Sequence, residues 1–149
     1  PWTLLTSLFV HDFPWHILAN MFTLYFLGSY LCNMIGDGRF LTVYFVGGIV
    51  GNFFYILIEY LLGGPNTLAF GASGAIFAVA GALTAIAPKV KVIVFPIPVP
   101  MPLWMAVIGG FLLMSFIPGV AWQAHLGGLL VGLIAGIFLR KHKRNVILF

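Results

Sequence analysis

Backbone amides and carbonyls cannot stay unpaired in hydrocarbon, so a chain enters a membrane only as helices or as a closed barrel. Four stretches of this sequence are apolar and long enough, or nearly so, to cross as helices: 15–36, 40–62, 101–116 and 121–139. A crossing takes roughly 20 apolar residues at about 1.5 Å each, against a hydrocarbon core of about 30 Å. A fifth stretch, 73–87, would reach only roughly 22 Å. Turn chemistry separates them: Gly36-Asp37-Gly38, Gly63-Gly64-Pro65-Asn66, Pro88 with Pro96, Pro98, Pro100 and Pro102, and Pro118-Gly119. Of the 149 residues, 62% are hydrophobic and 7% charged, where a soluble domain carries about 25% charged. A soluble enzyme, a nucleic-acid binder and a disordered tail are thereby excluded. The expectation is an all-α polytopic helical bundle with five transmembrane helices, forming a single membrane domain over residues 1–149.

Charge placement orients it. Lys and Arg collect in the cytoplasmic loops of membrane proteins. Arg39 falls in the first loop, Lys89 and Lys91 in the third, and Arg140, Lys141, Lys143 and Arg144 after the last span. With five spans all seven share one face. The expected protein is multi-pass in the cell membrane with its C-terminus cytoplasmic. The basic tail then anchors topology rather than binding nucleic acid. Pro1 comes out on the opposite face, which an upstream segment with an odd number of spans would explain. Cys32 is the only cysteine, so an internal disulfide is excluded. No Cys/His spacing fits a metal site, and no cofactor is implied.

Polar groups inside spans are costly and are functional candidates by default. His16, Asn20, Ser73 and His125 all come out at similar depth on the outer side. Ser73 lies in Gly71-Ala72-Ser73-Gly74 at the start of the short segment. It would serve there as a cap or as a packing residue. Read as chemistry, it is a hydroxyl at a helix N-terminus whose N–H groups face a developing oxyanion, with glycines admitting a substrate backbone. A serine needs a base beside it to become a nucleophile, and His125 is the well-placed one. His125 heads the series Gly128, Gly132, Gly136, a face for close helix packing. Ser73, Phe77, Gly81 and Ala85 form the matching edge, and docking the two would join Ser73 to His125. Phe77 would then either stack on the imidazole or fill the core. His16 and Asn20, four apart, share a helix face, as cross-helix bonds or as oxyanion donors. Asp12 and Glu59 are the acids near the outer side, and either is a candidate to orient a histidine. Asp12 reads as a helix cap, and His11 as a residue bonded within the outer loop.

His16-xxx-Asn20, Gly71-Ala72-Ser73-Gly74 and Ala124-His125-xx-Gly128-xxx-Gly132, in that order and on one side of the membrane, resemble the rhomboid family of intramembrane serine proteases. The resemblance covers essentially the whole chain, and His11 matches a histidine common in that family. It implies that Ser73 is the nucleophile and His125 the base of a Ser-His dyad needing no carboxylate. Asn20, His16 and the Ser73 N–H would form the oxyanion hole. Gly71 would let the substrate approach, and Phe77 would pack on the catalytic histidine. The implied substrates are transmembrane segments of other proteins in the bilayer, cleaved in a recessed cavity open to the outside. Two features differ from the family pattern. Trp2 is followed by Thr3 where the family has arginine, and the chain corresponds to the six-helix core minus the first helix. The Pro96 to Pro102 stretch would begin the fifth family helix. A non-catalytic relative that binds transmembrane clients is the alternative, though such relatives lack the Ser or His. A transporter or channel would need intramembrane charge or an internal repeat, and neither is evident beyond Glu59.

Overall fold

The computed structural model describes residues 2–64, 69–94 and 97–142. A short helix, α1 (Thr3–Thr6), runs into a 3-10 turn at Ser7–Phe9. Pro14 opens α2 (Pro14–Thr23), where its missing N–H costs nothing and its fixed φ suits the first turn. A π-helical turn, Leu24–Gly28, carries α2 into α3 (Ser29–Ile35), so the helix is continuous over Pro14–Ile35. Gly36, at φ 84°, breaks it, and α4 (Asp37–Leu62) begins at once. That start precedes the expected 40 because Asp37 in the first turn suits a helix N-terminus. Gly63 closes α4 in the left-handed region, its N–H donated to Tyr60 O while Gly64 donates to Glu59 O.

The next helix, α5 (Ser73–Ile86), is buried on nearly every face, as expected of a helix apolar all round. After it come β1 (Lys91–Val94) and β2 (Ile97–Pro102), then α6 (Leu103–Ser115) and α7 (Trp122–Leu139). Among the described residues, three helices are long and apolar enough to cross a membrane: Pro14–Ile35, Asp37–Leu62 and Trp122–His142, the last counted with its 3-10 extension. Ser73–Ile86 and Leu103–Ser115 are shorter apolar helices.

The fold is mostly helical, as expected, with one small addition: β1 and β2 pair antiparallel with Lys91 opposite Pro102, Val92 opposite Met101 and Val94 opposite Ile97. The Pro-rich stretch is therefore a strand rather than the opening of a helix. Its prolines alternate at 98, 100 and 102. Side and backbone direction repeat every two residues in a strand, so one alternating set can lack N–H groups without breaking the ladder. Leu103, of the opposite parity, donates its N–H to Val90 O at 2.7 Å. Pro1, Pro65, Asn66, Pro96, Lys143 and Arg144 lie outside the described residues.

The core is a three-helix unit. Gly47 of α4 meets Ala78, Gly48 meets Ala75 and Gly51 meets the Ala124 carbonyl, so α4 runs antiparallel to both α5 and α7. Gly128, Gly132 and Gly136 of α7 lie in sequence on Gly74, Ala78 and Ala82, so α5 and α7 are parallel. Arg39, Lys89, Lys91, Arg140 and Lys141 consequently gather at one end of the unit. The docking edge on α5 is wider than expected: Gly74, Ala78 and Ala82 lie directly on the glycines, with Gly81 against Leu129 O and Ala85 near Gly136. The expected edge also touches α7, Ser73 and Phe77 through His125. By contrast, α6 buries only Leu103 and Val107 and lies at the edge of the unit.

Candidate active site

The glycine seam brings two side chains 52 residues apart to one point. Ser73 Oγ, on the first residue of α5, lies 2.7 Å from His125 Nε2 on α7. His125 is 4% exposed, and Phe77, one turn along α5 from Ser73, stacks on its ring at a centroid distance of 4.6 Å and 29° between planes. Phe111 of α6 meets the edge of Phe77 in turn, at 6.0 Å. The imidazole is thus fixed by a hydroxyl on one side and a ring face on the other. Its Nδ1 is buried and has no hydrogen-bond partner among the described residues, so no carboxylate orients it. With Nε2 unprotonated, the Ser73 hydroxyl donates to it, which is the arrangement of a nucleophile and its base.

A second group closes on Gly71, whose φ of +113° is open to glycine and strained for other residues. A Cβ placed there would stand 2.8 Å from both Cε1 and Nε2 of His16 and 3.7 Å from Asn20 Nδ2. His16 and Asn20 therefore share the open face of this turn, two residues before Ser73. Asn20 is buried, and its Nδ2 has no partner among the described residues. A donor buried without a partner costs about 1–3 kcal/mol, a cost removed when an oxygen enters beside it. Ser73 also begins α5 with no side-chain cap on the helix N-terminus, leaving first-turn amides free of intrahelical partners.

Of the two acids, Asp12 orients a histidine and Glu59 does not. Asp12 does not cap α2, which has no side-chain cap; its Oδ1 accepts the His16 Nδ1 proton at 2.7 Å. One turn of helix separates the two, so the pair forms locally. Because Asp12 takes the Nδ1 proton, Nε2 of His16 donates only from the doubly protonated ring. Glu59 orients no histidine; it accepts from Gln123 Nε2 at 2.7 Å, tying the end of α4 to the start of α7 just before His125. His11 crosses the edge of His16 at 4.9 Å and accepts a long bond, 3.5 Å, from the Ala72 N–H. Burial, with the neighbouring His16, lowers the His11 pKa from its usual 6.5.

Sequence reasoning missed the residues that hold the Gly71 turn. Its N–H is donated to the Ser7 carbonyl at 2.9 Å. Ser7 Oγ accepts in turn from Asn52 Nδ2 of α4, at 2.9 Å. The signal available was Asn52 itself, an amide in the middle of an apolar stretch.

The rhomboid domain model matches residues 1–142. Among curated relatives, the chain is 31% identical to "Rhomboid protein 1, mitochondrial" of Saccharomyces cerevisiae, over 93% of this chain and 42% of that protein. It is 30% identical to "RHOMBOID-like protein 12, mitochondrial" of Arabidopsis thaliana, over 93% of this chain and 46% of the relative. It is 31% identical to the human "Presenilin-associated rhomboid-like protein, mitochondrial", over 87% of this chain and 36% of the relative. The chain thus spans less than half the length of these relatives. A family match along nearly the whole sequence, and a helical fold built on long apolar spans, agree that this chain is a member of the rhomboid family.

Proposed function

We propose that this chain is an intramembrane serine endopeptidase, with Ser73 as nucleophile and His125 as general base. The observation that carries the proposal is the 2.7 Å approach of Ser73 Oγ to His125 Nε2, under the stacked ring of Phe77. In the proposed reaction Ser73 Oγ attacks the carbonyl of a peptide bond and its proton passes to His125 Nε2. The tetrahedral oxyanion faces the Ser73 N–H and Asn20 Nδ2, with His16 completing the pocket when doubly protonated. His125 then protonates the leaving amine, and water hydrolyses the acyl-enzyme by the reverse relay. Gly71 keeps the pocket open to the substrate backbone. No metal or organic cofactor takes part.

The proposed topology is five crossings by one membrane domain, through Pro14–Ile35, α4, α5, α6 and α7, with the cationic end cytoplasmic. Substrates are then transmembrane segments of other proteins, entering from the bilayer and cut near their outer ends. The three relatives are mitochondrial by name, which weighs against the plasma membrane; subcellular fractionation of the tagged chain decides the compartment.

A fluorophosphonate probe tests the chemistry on detergent-solubilised protein. Wild type should label, and Ser73→Ala and His125→Ala should each abolish labelling while leaving the thermal melt in place. A folded wild type that stays unlabelled refutes an activated Ser73 and favours a client-binding role without catalysis.

A further inference from the structure

The turn that faces His16 and Asn20 is held from the middle of a different helix. Asn52 is half-buried in α4, and its Nδ2 donates both to the Leu4 carbonyl, at 2.8 Å, and to Ser7 Oγ, at 2.9 Å. The Ser7 carbonyl accepts the Gly71 N–H at 2.9 Å. Leu8 follows Ser7 and is 1% exposed, its side chain seated against Gly48 of α4 beside Ala75 of α5. One amide thus fastens the segment Thr3–Phe9 to α4, and that segment fastens the Gly71 turn. An amide in an apolar span is costly unless it is bonded. This one spends its donors on backbone and hydroxyl groups more than forty residues away, and not on its own helix.

We propose that Asn52 is a positioning residue for the oxyanion pocket: by holding Leu4 and Ser7 it sets the Gly71 turn against His16 and Asn20. The proposal rests on the reading of this site as a serine protease centre. Gly71 has little room to move. A shift of its backbone toward His16 closes the pocket, and a shift away separates the Ser73 N–H from Asn20. Displacements of about 1 Å in such a constellation cost on the order of 100-fold in rate. Substrate contacts elsewhere are untouched, so the loss belongs to the chemical step and not to binding.

The test uses the full chain in detergent, with Asn52→Leu removing the donor at similar size. Ser7→Ala removes one of the two anchors but keeps the carbonyl that accepts from Gly71. Two readouts are taken: hydrogen–deuterium exchange of the peptide containing Gly71, and the concentration dependence of fluorophosphonate labelling, which separates kinact from KI. Asn52→Leu should speed exchange of that peptide about tenfold or more and lower kinact about 10- to 100-fold, with KI within about twofold. Ser7→Ala should move both in the same direction by less. The double variant should be no worse than Asn52→Leu, because both act through one clamp. Wild-type kinact in folded Asn52→Leu, or unchanged exchange at Gly71, overturns the proposal. Should Asn52→Leu not fold, Ser7→Ala alone decides by the same two readouts. If Ser73→Ala labels as well as wild type, the protease reading fails; the exchange at Gly71 then still shows whether Asn52 holds the turn.

Discussion

Adding one methyl group at Gly128 tests whether backbone contact between α5 and α7 sets the Ser73–His125 distance. A Cβ built at Gly128 runs into the Gly74 carbonyl oxygen and stands 2.9 Å from the Gly74 carbonyl carbon and 3.4 Å from its Cα. These are backbone atoms, so no side-chain rotation relieves them, and one helix must retreat by about 1 Å. Gly74 adjoins Ser73, and Gly128 lies less than one turn after His125, so the retreat falls directly on the pair. Their 2.7 Å separation then lengthens beyond hydrogen-bond reach, which ends near 3.5 Å. Gly128→Ala should cost about 1–3 kcal/mol of stability and lower the labelling rate of Ser73 on the order of 100-fold. The assay is a thermal melt in detergent alongside timed fluorophosphonate labelling. Gly109→Ala is the control: a Cβ there meets nothing within 4 Å, and a helical Gly→Ala change gains about 0.5–1 kcal/mol. A Gly128→Ala protein that melts and labels like wild type would refute the claim that helix contact at the glycines holds the pair together.

Two further outcomes follow from the same geometry. Asn20→Ala should lower turnover of a transmembrane substrate about 100- to 1,000-fold with KM little changed, because its Nδ2 finds a partner only when the oxyanion forms; steady-state kinetics check this, and a rise in KM with kcat intact would make Asn20 a docking residue. For His11, burial holds the folded-state pKa below 6.5. The native chain then binds fewer protons than the unfolded chain as pH falls from that value, so the stability His11 supplies is full above about pH 6.5 and is lost on acidification. His11→Gln should therefore melt with less dependence on pH between about 7.5 and 5.5, and an unchanged acid limb would count against that assignment.

Much of this was legible because membranes punish exceptions. The helices fall close to the expected boundaries, since Gly36, Gly63, Pro88 and Pro118-Gly119 are strong punctuation in an otherwise apolar chain. The polar residues of the site stood out for the same reason. Four things were not legible. A spacing of four on a helix fixes a face only to within about 100° per residue, so the row Gly74, Ala78 and Ala82, which lies directly on the glycines, was not separable from its neighbour Ser73, Phe77, Gly81 and Ala85. The packing glycines of α4, Gly47, Gly48 and Gly51, carry no polar label and have no meaning until their partners are known. The strand Ile97–Pro102 was hidden by its prolines, which read as a break until their alternation is matched to a partner strand. Asp12 looked like a cap because it precedes Pro14, and only the placement of His16 shows where its oxygen goes.

The short α5 explains why so many of these details occur together. Its 14 residues give about 21 Å of rise, against a hydrocarbon core of about 30 Å. Its Ile86 end lies with Lys89 and Lys91 among the other cations, so in the proposed topology the shortfall would fall at the Ser73 end. The proposed nucleophile would then lie below the rim, with the turn leading into it at the same depth. Non-helical backbone is tolerated at such depth only if protein or a wet cavity satisfies it. Gly71 donates to Ser7 and Ala72 to His11, so the segment before α2 supplies what a helix would otherwise supply. That segment must reach the same depth, which requires Leu8 to be buried between helices and Leu4 and Ser7 to be held by a donor inside the bundle. Asn52 is that donor. On the proposed topology, a recessed Ser73 and the amide in the middle of α4 belong to one structural solution.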